Sequence, residues 1–166
     1  CANNKLEMFV TVWIGILEIS TGKLSAANAG HEYPALKKAG SGFAIFKDKH
    51  SFVLGGQEGM KYKEYEIRLE PGDKLFVYTD GVPEAQDPDG NMFQMERMIN
   101  ALNEDPDASP EDTAILRSNL RLCRIAMLRN QTAAIILNQF PGKGIFLDRI
   151  APCSKRLYIY YSIRIH

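Results

Sequence analysis

The sequence predicts an α+β domain in which antiparallel strands come first and helices follow. Three observations predict this class. The chain has 166 residues, the size of one domain, and 45% of them are hydrophobic, which is enough for a core. Short apolar runs separated by turn residues fill the first 80 residues. Apolar residues at helical spacing begin only after residue 90.

Each predicted strand is a short apolar run that ends at a turn. Residues 20–23, Ser-Thr-Gly-Lys, predict a tight turn that joins the first two strands in a hairpin. Residues 65–69 alternate between apolar and polar side chains, so we expect this strand to bury one face. The predicted strands are residues 9–19, 24–29, 35–38, 43–46, 52–54, 65–69, 75–79 and 132–137.

Two helices are predicted after the strand at residues 75–79. The second begins at residues 109–112, Ser-Pro-Glu-Asp, because serine caps helices and proline suits the first helical position. The first carries apolar residues at helical spacing, and we expect its methionines to pack in the core. Its apolar residues are Met92, Met95, Met98, Ile99 and Leu102.

Composition excludes several classes of protein. No apolar run reaches the roughly 18 residues of a membrane span, and no signal peptide is predicted. Cys1, Cys123 and Cys153 are far apart, which indicates neither a disulfide framework nor a zinc cluster. We therefore expect a cytoplasmic protein.

Charge divides the chain into two parts. Residues 1–113 carry 11 Lys and Arg against 19 Asp and Glu, whereas residues 114–166 carry nine basic residues and one acid, Asp148. We therefore predict a domain over residues 1–113 and a divergent basic tail over residues 114–166, which can still supply the strand at 132–137. Nucleic-acid binding by this tail is the weakest alternative function, because its arginines lack interleaved aromatic residues.

An acidic residue stands at the end of the strand at residues 75–79. The strand follows a turn at residues 71–73 and leads into Thr79-Asp80-Gly81. A carboxylate at the end of a buried strand is costly unless it is paired, hydrogen-bonded or bound to a cation. We expect Gly81 to let the backbone turn sharply and Pro83 to end the strand. Asp80 is thus predicted to project from a rigid platform, as a metal or catalytic site requires.

Several motifs follow one another in a fixed order. They are Met8-Phe9-Val10-Thr11, Gly15-Ile16-Leu17-Glu18, Thr21-Gly22-Lys23-Leu24, residues 27–34 (Ala-Asn-Ala-Gly-His-Glu-Tyr-Pro), Gly72-Asp73-Lys74-Leu75, residues 78–85 (Tyr-Thr-Asp-Gly-Val-Pro-Glu-Ala) and a helix that contains Glu96. Their order and spacing resemble the SpoIIE-type branch of the metal-dependent phosphatase 2C superfamily. The resemblance covers roughly residues 3–113.

The resemblance implies a phosphatase 2C-like antiparallel β-sandwich of two sheets flanked by helices, incomplete in this chain. It also implies two Mn²⁺ or Mg²⁺ ions that activate a water molecule, so no catalytic side-chain nucleophile is expected. Asp80 matches a metal-binding aspartate of the family, and Gly81 matches its neighbour in the motif. The implied substrate is a phosphoserine or phosphothreonine protein in bacterial signalling, commonly an anti-sigma-factor antagonist.

Three further residues are candidates for contacts near that site. His31 is either a donor that faces phosphate or a structural residue whose ring binds a loop carbonyl. Asn28 is expected to satisfy backbone groups of the same turn. Glu84 either holds a metal ligand in place or is a solvated carboxylate. His50 and His166 are predicted to be ordinary surface residues.

The chain departs from the family at two acidic motifs. An upstream Asp-x-x-Gly-x-Gly segment is absent from the sequence, and Arg129 and Asn130 stand where the family has an Asp-Asp-x-Thr motif. One acid does not hold two cations, so we expect this chain, alone, to be inactive as a phosphatase. The alternative is a non-catalytic module that binds a partner protein.

A change of reading frame is one hypothesis for the basic tail. The composition changes near residue 114, where the resemblance fades, and residues 126–131 can be back-translated into codons whose shifted reading gives Asn-Ala-Pro-Lys-Ser-Asp. The Thr132–Ala133 junction does not allow the second family aspartate in the same shift. An uninterrupted frame across codons 110–135 of the gene would contradict this hypothesis.

Overall fold

The computed structural model describes residues 8–108 and the backbone of two later strands, 134–138 and 156–165. It divides the chain into two compact units. The first comprises Cys1–Tyr33, Lys47–Leu69 and Asp148–His166, and the second comprises Pro34–Phe46 and Glu70–Leu147. In chain order the elements are β1 (Val10–Glu18), β2 (Lys23–Ala29), β3 (Ala35–Lys37), β4 (Phe43–Ile45), β5 (His50–Ser51), β6 (Glu64–Arg68), β7 (Lys74–Tyr78), α1 (Met95–Glu104), β8 (Ala134–Asn138) and β9 (Arg156–Ile165).

The first unit contains a sheet of strand order β5-β2-β1-β9, in which β6 also pairs with β2. The β1–β2 hairpin is antiparallel, and Glu18 pairs with Lys23 beside its turn. Trp13 is fully buried on β1, and its ring lies against Gly15, where an added Cβ would be 2.6 Å from the ring. Glycine in this strand therefore makes room for the tryptophan.

The second unit contains an antiparallel sheet of order β4-β3-β7-β8 and the helix α1. Every residue of β7 is buried, because β7 is paired on both sides and the helix belongs to the same hydrophobic core. The stacked rings of Phe76 and Tyr78, with centroids 5.5 Å apart, belong to that core. The other buried members are Ala35, Phe43, Val82, Ala85, Phe93, Met98 and Leu102.

Most predicted elements are confirmed. The hairpin, the strands β3, β4, β6 and β7, and a strand near residues 132–137, observed as β8, all form. The one-sided burial of β6 is also confirmed, since its residues alternate between buried and exposed. The mixed α+β class is therefore correct. The predicted helix start at residues 109–112 lies outside the described residues.

Three details of the prediction are wrong or incomplete. The strand predicted at 52–54 is instead β5, His50–Ser51, and Leu54 forms only an isolated bridge with Val10. Met92 is 48% exposed and lies before α1, and Phe93 fills the core in its place. The strand β9, which pairs with β1, was not predicted. None of the described helices has the length and apolar character that crossing a membrane requires.

Candidate functional site

Asp80 lies at the start of a tight turn directly after β7. The carbonyl of Thr79 accepts a hydrogen bond from the N–H of Val82 (3.0 Å), and the carbonyl of Asp80 accepts one from the N–H of Glu84 (2.9 Å). Val82 is buried in the core, Asp80 and Gly81 are half-buried, and Glu84 is exposed. The turn therefore brings Asp80, Gly81 and Glu84 together at the end of a buried strand.

The reason for this turn differs from the one predicted. Gly81 is not among the described glycines with a positive φ, so its special conformational freedom does not make the turn. The burial of Val82 and the two backbone hydrogen bonds define it instead. The strand itself ends at Tyr78, before Pro83, so proline is not what stops it.

The Asp73 carboxylate fixes the approach to β7. Asp73 is 2% exposed, and it accepts hydrogen bonds from the N–H of Ala39 (2.8 Å), the N–H of Glu70 (3.0 Å) and the Lys38 ammonium (2.6 Å). Burial alone would raise the pKa of Asp73, but these donors together lower it below its ordinary value. One carboxylate thus ties the residues that follow β3 to the turn that precedes β7.

Two buried lysines, Lys37 on β3 and Lys74 on β7, connect this sheet to residues 106–108, which follow α1. Lys74 on β7 pairs in register with Lys37 on β3, and both side chains are almost completely buried. The Lys37 ammonium lies 2.8 Å from the Asp107 carboxylate. Lys74 donates to the carbonyls of Pro106 (2.8 Å) and Ala108 (2.6 Å). Burial, and then the positive charge of Lys37, lower the pKa of Lys74. The residues after α1 are thereby attached to the sheet.

The N-terminal end of α1 is attached to the Asp80 turn. The N–H of Phe93 donates to the carbonyl of Ala85, and the N–H of Gln94 donates to the carbonyl of Pro83, both over 2.7 Å. Gln94 adopts a left-handed backbone with φ of 67°, which costs energy for a residue other than glycine. The contacts with residues 83–85 compensate for this strain, so the turn and the helix form one packed substructure.

Asn28 and His31 occupy a turn of the first unit. Asn28 Oδ1 accepts a hydrogen bond from the N–H of His31 (2.7 Å), and Asn28 Nδ2 donates to the carbonyl of His31 (3.1 Å). The prediction that Asn28 satisfies backbone groups of this turn is confirmed. The imidazole that contacts the carbonyl of His31 belongs to His50, which is 29% exposed and packs against Tyr33. The prediction of an ordinary surface role for His50 is therefore wrong.

A buried carboxylate, Asp48, organises this region. Asp48 Oδ2 accepts hydrogen bonds from Asn28 Nδ2 and from the hydroxyl of Tyr65, each over 2.8 Å. The Tyr65 oxygen in turn accepts a bond from Trp13 Nε1 (2.7 Å). Burial, and then the negative charge of Asp48, raise the pKa of Tyr65 far above its ordinary value, so the phenol keeps its proton. His50 Nε2 lies 3.9 Å from Asp48 Oδ1.

The described residues do not fit a two-ion metal centre. Among them, no group of three His, Cys, Asp or Glu side chains is arranged to hold an ion. Mn²⁺ and Mg²⁺ need several oxygen ligands, and the Asp80 turn offers one half-buried carboxylate beside the exposed Glu84. Asp80 therefore suits a single ligand position. Arg129 and Asn130, at the second departure from the family motif, lie outside the described residues.

The comparison with known families identifies the chain. Residues 1–122 match the family described as Stage II sporulation protein E (SpoIIE). The chain belongs to the SpoIIE family. This agrees with the order of motifs around Asp80, and the matched residues include both described turns.

Two curated proteins are similar in sequence to this SpoIIE-family chain. Protein IcfG of Synechocystis sp. is 30% identical over 115 residues, which is 69% of the chain and 18% of the length of IcfG. Phosphoserine phosphatase RsbU of Bacillus subtilis is 26% identical over 88 residues, which is 53% of the chain and 26% of the length of RsbU. The chain thus spans about a fifth to a quarter of the length of these relatives.

Two solved structures share the fold. The RsbU and RsbW domains of Rv1364c from Mycobacterium tuberculosis superpose with a TM-score of 0.57 at 21% identity, over 80% of this chain and 37% of that one. The phosphatase domain of SpoIIE from Bacillus subtilis superposes with a TM-score of 0.57 at 12% identity, over 82% of this chain and 59% of that one. The fold expected from the sequence resemblance, a phosphatase 2C-like α+β domain that is incomplete here, is confirmed.

Sequence reasoning missed the polar residues that hold these turns. Asp48 lies in a Lys-Asp-Lys-His run that has the composition of a solvated surface. Lys37 and Lys74 lie in strands, where a charged residue normally indicates an exposed position. The alternation of residues 65–69 was the one available signal, since it places Tyr65 on the buried face with Ile67 and Leu69.

We expect Tyr65→Phe to destabilise the first unit. The change leaves Trp13 Nε1 without its acceptor and removes one of the two donors to Asp48. Each unsatisfied buried group costs about 1–3 kcal/mol, so we expect a loss of about 2–4 kcal/mol in unfolding free energy. Urea unfolding followed by Trp13 fluorescence measures it. Tyr62→Phe, which removes only a long, exposed hydrogen bond to the carbonyl of Val53 (3.3 Å), is the matched control, and equal losses in both variants would contradict the assignment.

We expect Asp73→Asn to destabilise the second unit by about 2–3 kcal/mol. The asparagine amide replaces one carboxylate oxygen with an NH₂ group, which cannot accept the hydrogen bonds that this oxygen receives. Most of this comes from the backbone donors, since the Lys38 ammonium is half exposed and its charge is screened. The folded-state pKa of Asp73 lies below its unfolded value, so its contribution is present above about pH 4 and is lost as pH falls through the folded pKa.

Thermal unfolding between pH 7 and pH 2 tests this expectation. The difference in stability between the wild-type chain and Asp73→Asn should shrink as the pH falls. Asp89→Asn, which removes a charge from an exposed turn, should differ little from the wild type at any pH. A difference for Asp73→Asn that does not change with pH would show that the carboxylate is not the stabilising group.

Proposed function

We propose that this SpoIIE-family chain is part of a metal-dependent protein serine/threonine phosphatase domain that acts in bacterial signalling. The observation that carries the proposal is Asp80, which the fold presents half-buried at the end of a fully buried strand. The family match over residues 1–122 and the phosphoserine phosphatase activity named for RsbU support it.

In this proposal Asp80 is one ligand of a Mn²⁺ or Mg²⁺ ion. A hard divalent cation prefers carboxylate oxygens, and it would supply the activated water for phosphate-ester hydrolysis. The substrate is a phosphorylated protein, such as an anti-sigma-factor antagonist, and the location is cytoplasmic. Gly81, Glu84, Asn28 and His31 serve as structural residues of the two turns.

The proposal includes inactivity of this chain on its own. The Asp80 turn supplies one half-buried carboxylate, whereas two clamped cations need several. Arg129 and Asn130 replace the acidic pair of the family, and a cation at such a position opposes metal binding. Loss of acids at these positions favours a second candidate function, a non-catalytic module that uses the remaining fold to bind a partner protein.

Metal titration tests the role of Asp80. We expect the wild-type chain to bind Mn²⁺ weakly in calorimetry and Asp80→Asn to weaken that binding at least about tenfold, or about 1.4 kcal/mol. Asp89→Asn, an isosteric change in an exposed turn, should leave the affinity unchanged. Equal Mn²⁺ affinity in Asp80→Asn and the wild type would exclude Asp80 as a ligand.

The same preparations test activity with p-nitrophenyl phosphate. We expect no Mn²⁺-dependent hydrolysis above buffer by the wild-type chain, and tighter Mn²⁺ binding after the double change Arg129→Asp and Asn130→Asp. Hydrolysis by the wild type that Asp80→Asn abolishes would contradict the proposed inactivity while supporting the metal role. No Mn²⁺ binding by any variant up to millimolar concentration would favour the partner-binding module.

A further inference from the structure

Two neighbouring segments of the first unit combine exposed apolar and basic side chains. The N–H of Lys63 donates to Ser51 Oγ (2.9 Å), and the hydroxyl of Tyr62 donates to the carbonyl of Val53 (3.3 Å). These bonds place the two segments side by side. We call these segments, residues 47–54 and 61–63, the lysine edge.

The lysine edge exposes three large apolar side chains. Phe52 is 49% exposed, Tyr62 is 38% exposed and Leu54 is 36% exposed. Between Phe52 and Leu54, the Val53 side chain is partly buried and lies against Gly30 and Gly56. Single exposed apolar residues are normal on a protein surface, but several on adjacent segments indicate an interaction site.

The lysine edge also carries four exposed lysines, at positions 47, 49, 61 and 63. None of their ammonium groups pairs with an acid in the part of the chain that the structure describes. Other lysines of the chain are neutralised internally, as in the pairs Lys23–Glu66, Lys37–Asp107 and Lys38–Asp73. The four lysines of the lysine edge therefore remain available for an external anion.

The charge of this region differs from that of its neighbouring segments in the first unit. Residues 47–63 contain four lysines and two acids, of which the Asp48 side chain is fully buried and Glu58 is exposed. Residues 8–33 and 64–69 of the same unit contain two basic and four acidic residues. A local excess of exposed lysines favours an acidic partner.

We propose that the lysine edge binds an acidic segment of a partner protein that also carries apolar side chains. In this complex the lysines form ion pairs with its carboxylates, and its apolar side chains pack against Phe52, Leu54 and Tyr62. Nucleic acid fits less well, because the edge contains no arginine, the residue best suited to bidentate phosphate contacts. This inference does not depend on phosphatase activity.

The small size of the lysine edge predicts a transient interaction, with a Kd on the order of tens of micromolar. The probe is a fluorescein-labelled 12-residue peptide of alternating Glu and Leu or Phe, and its binding to the full chain is followed by fluorescence anisotropy. We expect the affinity to fall about tenfold between low and high NaCl concentrations because surface charges are screened. We also expect no binding of a control peptide in which Lys replaces every Glu. A second control peptide, in which Ser replaces every Leu and Phe, should also fail to bind.

Variants locate the binding site. Replacing the four lysines of the lysine edge with Gln, or Phe52→Ser alone, should each weaken binding at least about fivefold, or about 1 kcal/mol. The matched controls are Lys23→Gln, for a surface charge elsewhere, and Met92→Ser, for an apolar side chain of similar exposure. Circular dichroism melts should show that these surface changes leave the fold intact.

Three outcomes would overturn the proposal. These are no peptide binding at millimolar concentration, binding that the lysine and Phe52 variants leave unchanged, and tighter binding of a 12-nucleotide single strand than of the acidic peptide. The last result would assign the lysine edge to nucleic acid. Loss of Mn²⁺ binding in Asp80→Asn has no bearing on these outcomes, so the two proposals fail independently.

Discussion

The complete burial of β7 is the constraint on which the second unit depends. A strand that water does not reach must have all its polar groups satisfied by the protein. Lys74 meets this requirement by binding two carbonyls of the segment after α1, and Asp73 meets it through the N–H groups of Ala39 and Glu70. The partners needed by one buried strand thus fix its neighbours in the sheet and the end of the helix.

The two units stabilise a buried carboxylate in different ways. Asp73 accepts backbone N–H groups and an ammonium, which favour its charged form and lower its pKa. Asp48 instead relies on neutral donors, the amide of Asn28 and the hydroxyl of Tyr65, and its Oδ1 has no hydrogen-bond partner in the described structure. The first arrangement holds a strand in register, whereas the second joins a strand, a turn and an edge segment through one polar network.

The sequence predicted most of the strands correctly, but it did not predict the buried polar contacts that connect them. The strand β6 was predictable because apolar and polar residues alternate in a strand that buries one face. The pairing of β1 with β2 was predictable because a tight turn connects them. The strand β9 could have been predicted from the aromatic and branched residues at 157–161, but its pairing with the distant β1 could not. For the same reason the burial of Asp48 could not be inferred, because its donors lie about 20 residues away on either side.

The sequence predicted that Asp80 lies at the end of a buried strand, but it did not establish whether Asp80 takes part in catalysis. Its turn is held by the burial of Val82, by backbone hydrogen bonds and by attachment to Phe93 and Gln94, and none of these contacts uses the Asp80 carboxylate. A turn held in this way keeps its shape whether or not further acids surround it. The SpoIIE-family match over residues 1–122 is therefore compatible with a turn of this shape in either a catalytic or a non-catalytic chain.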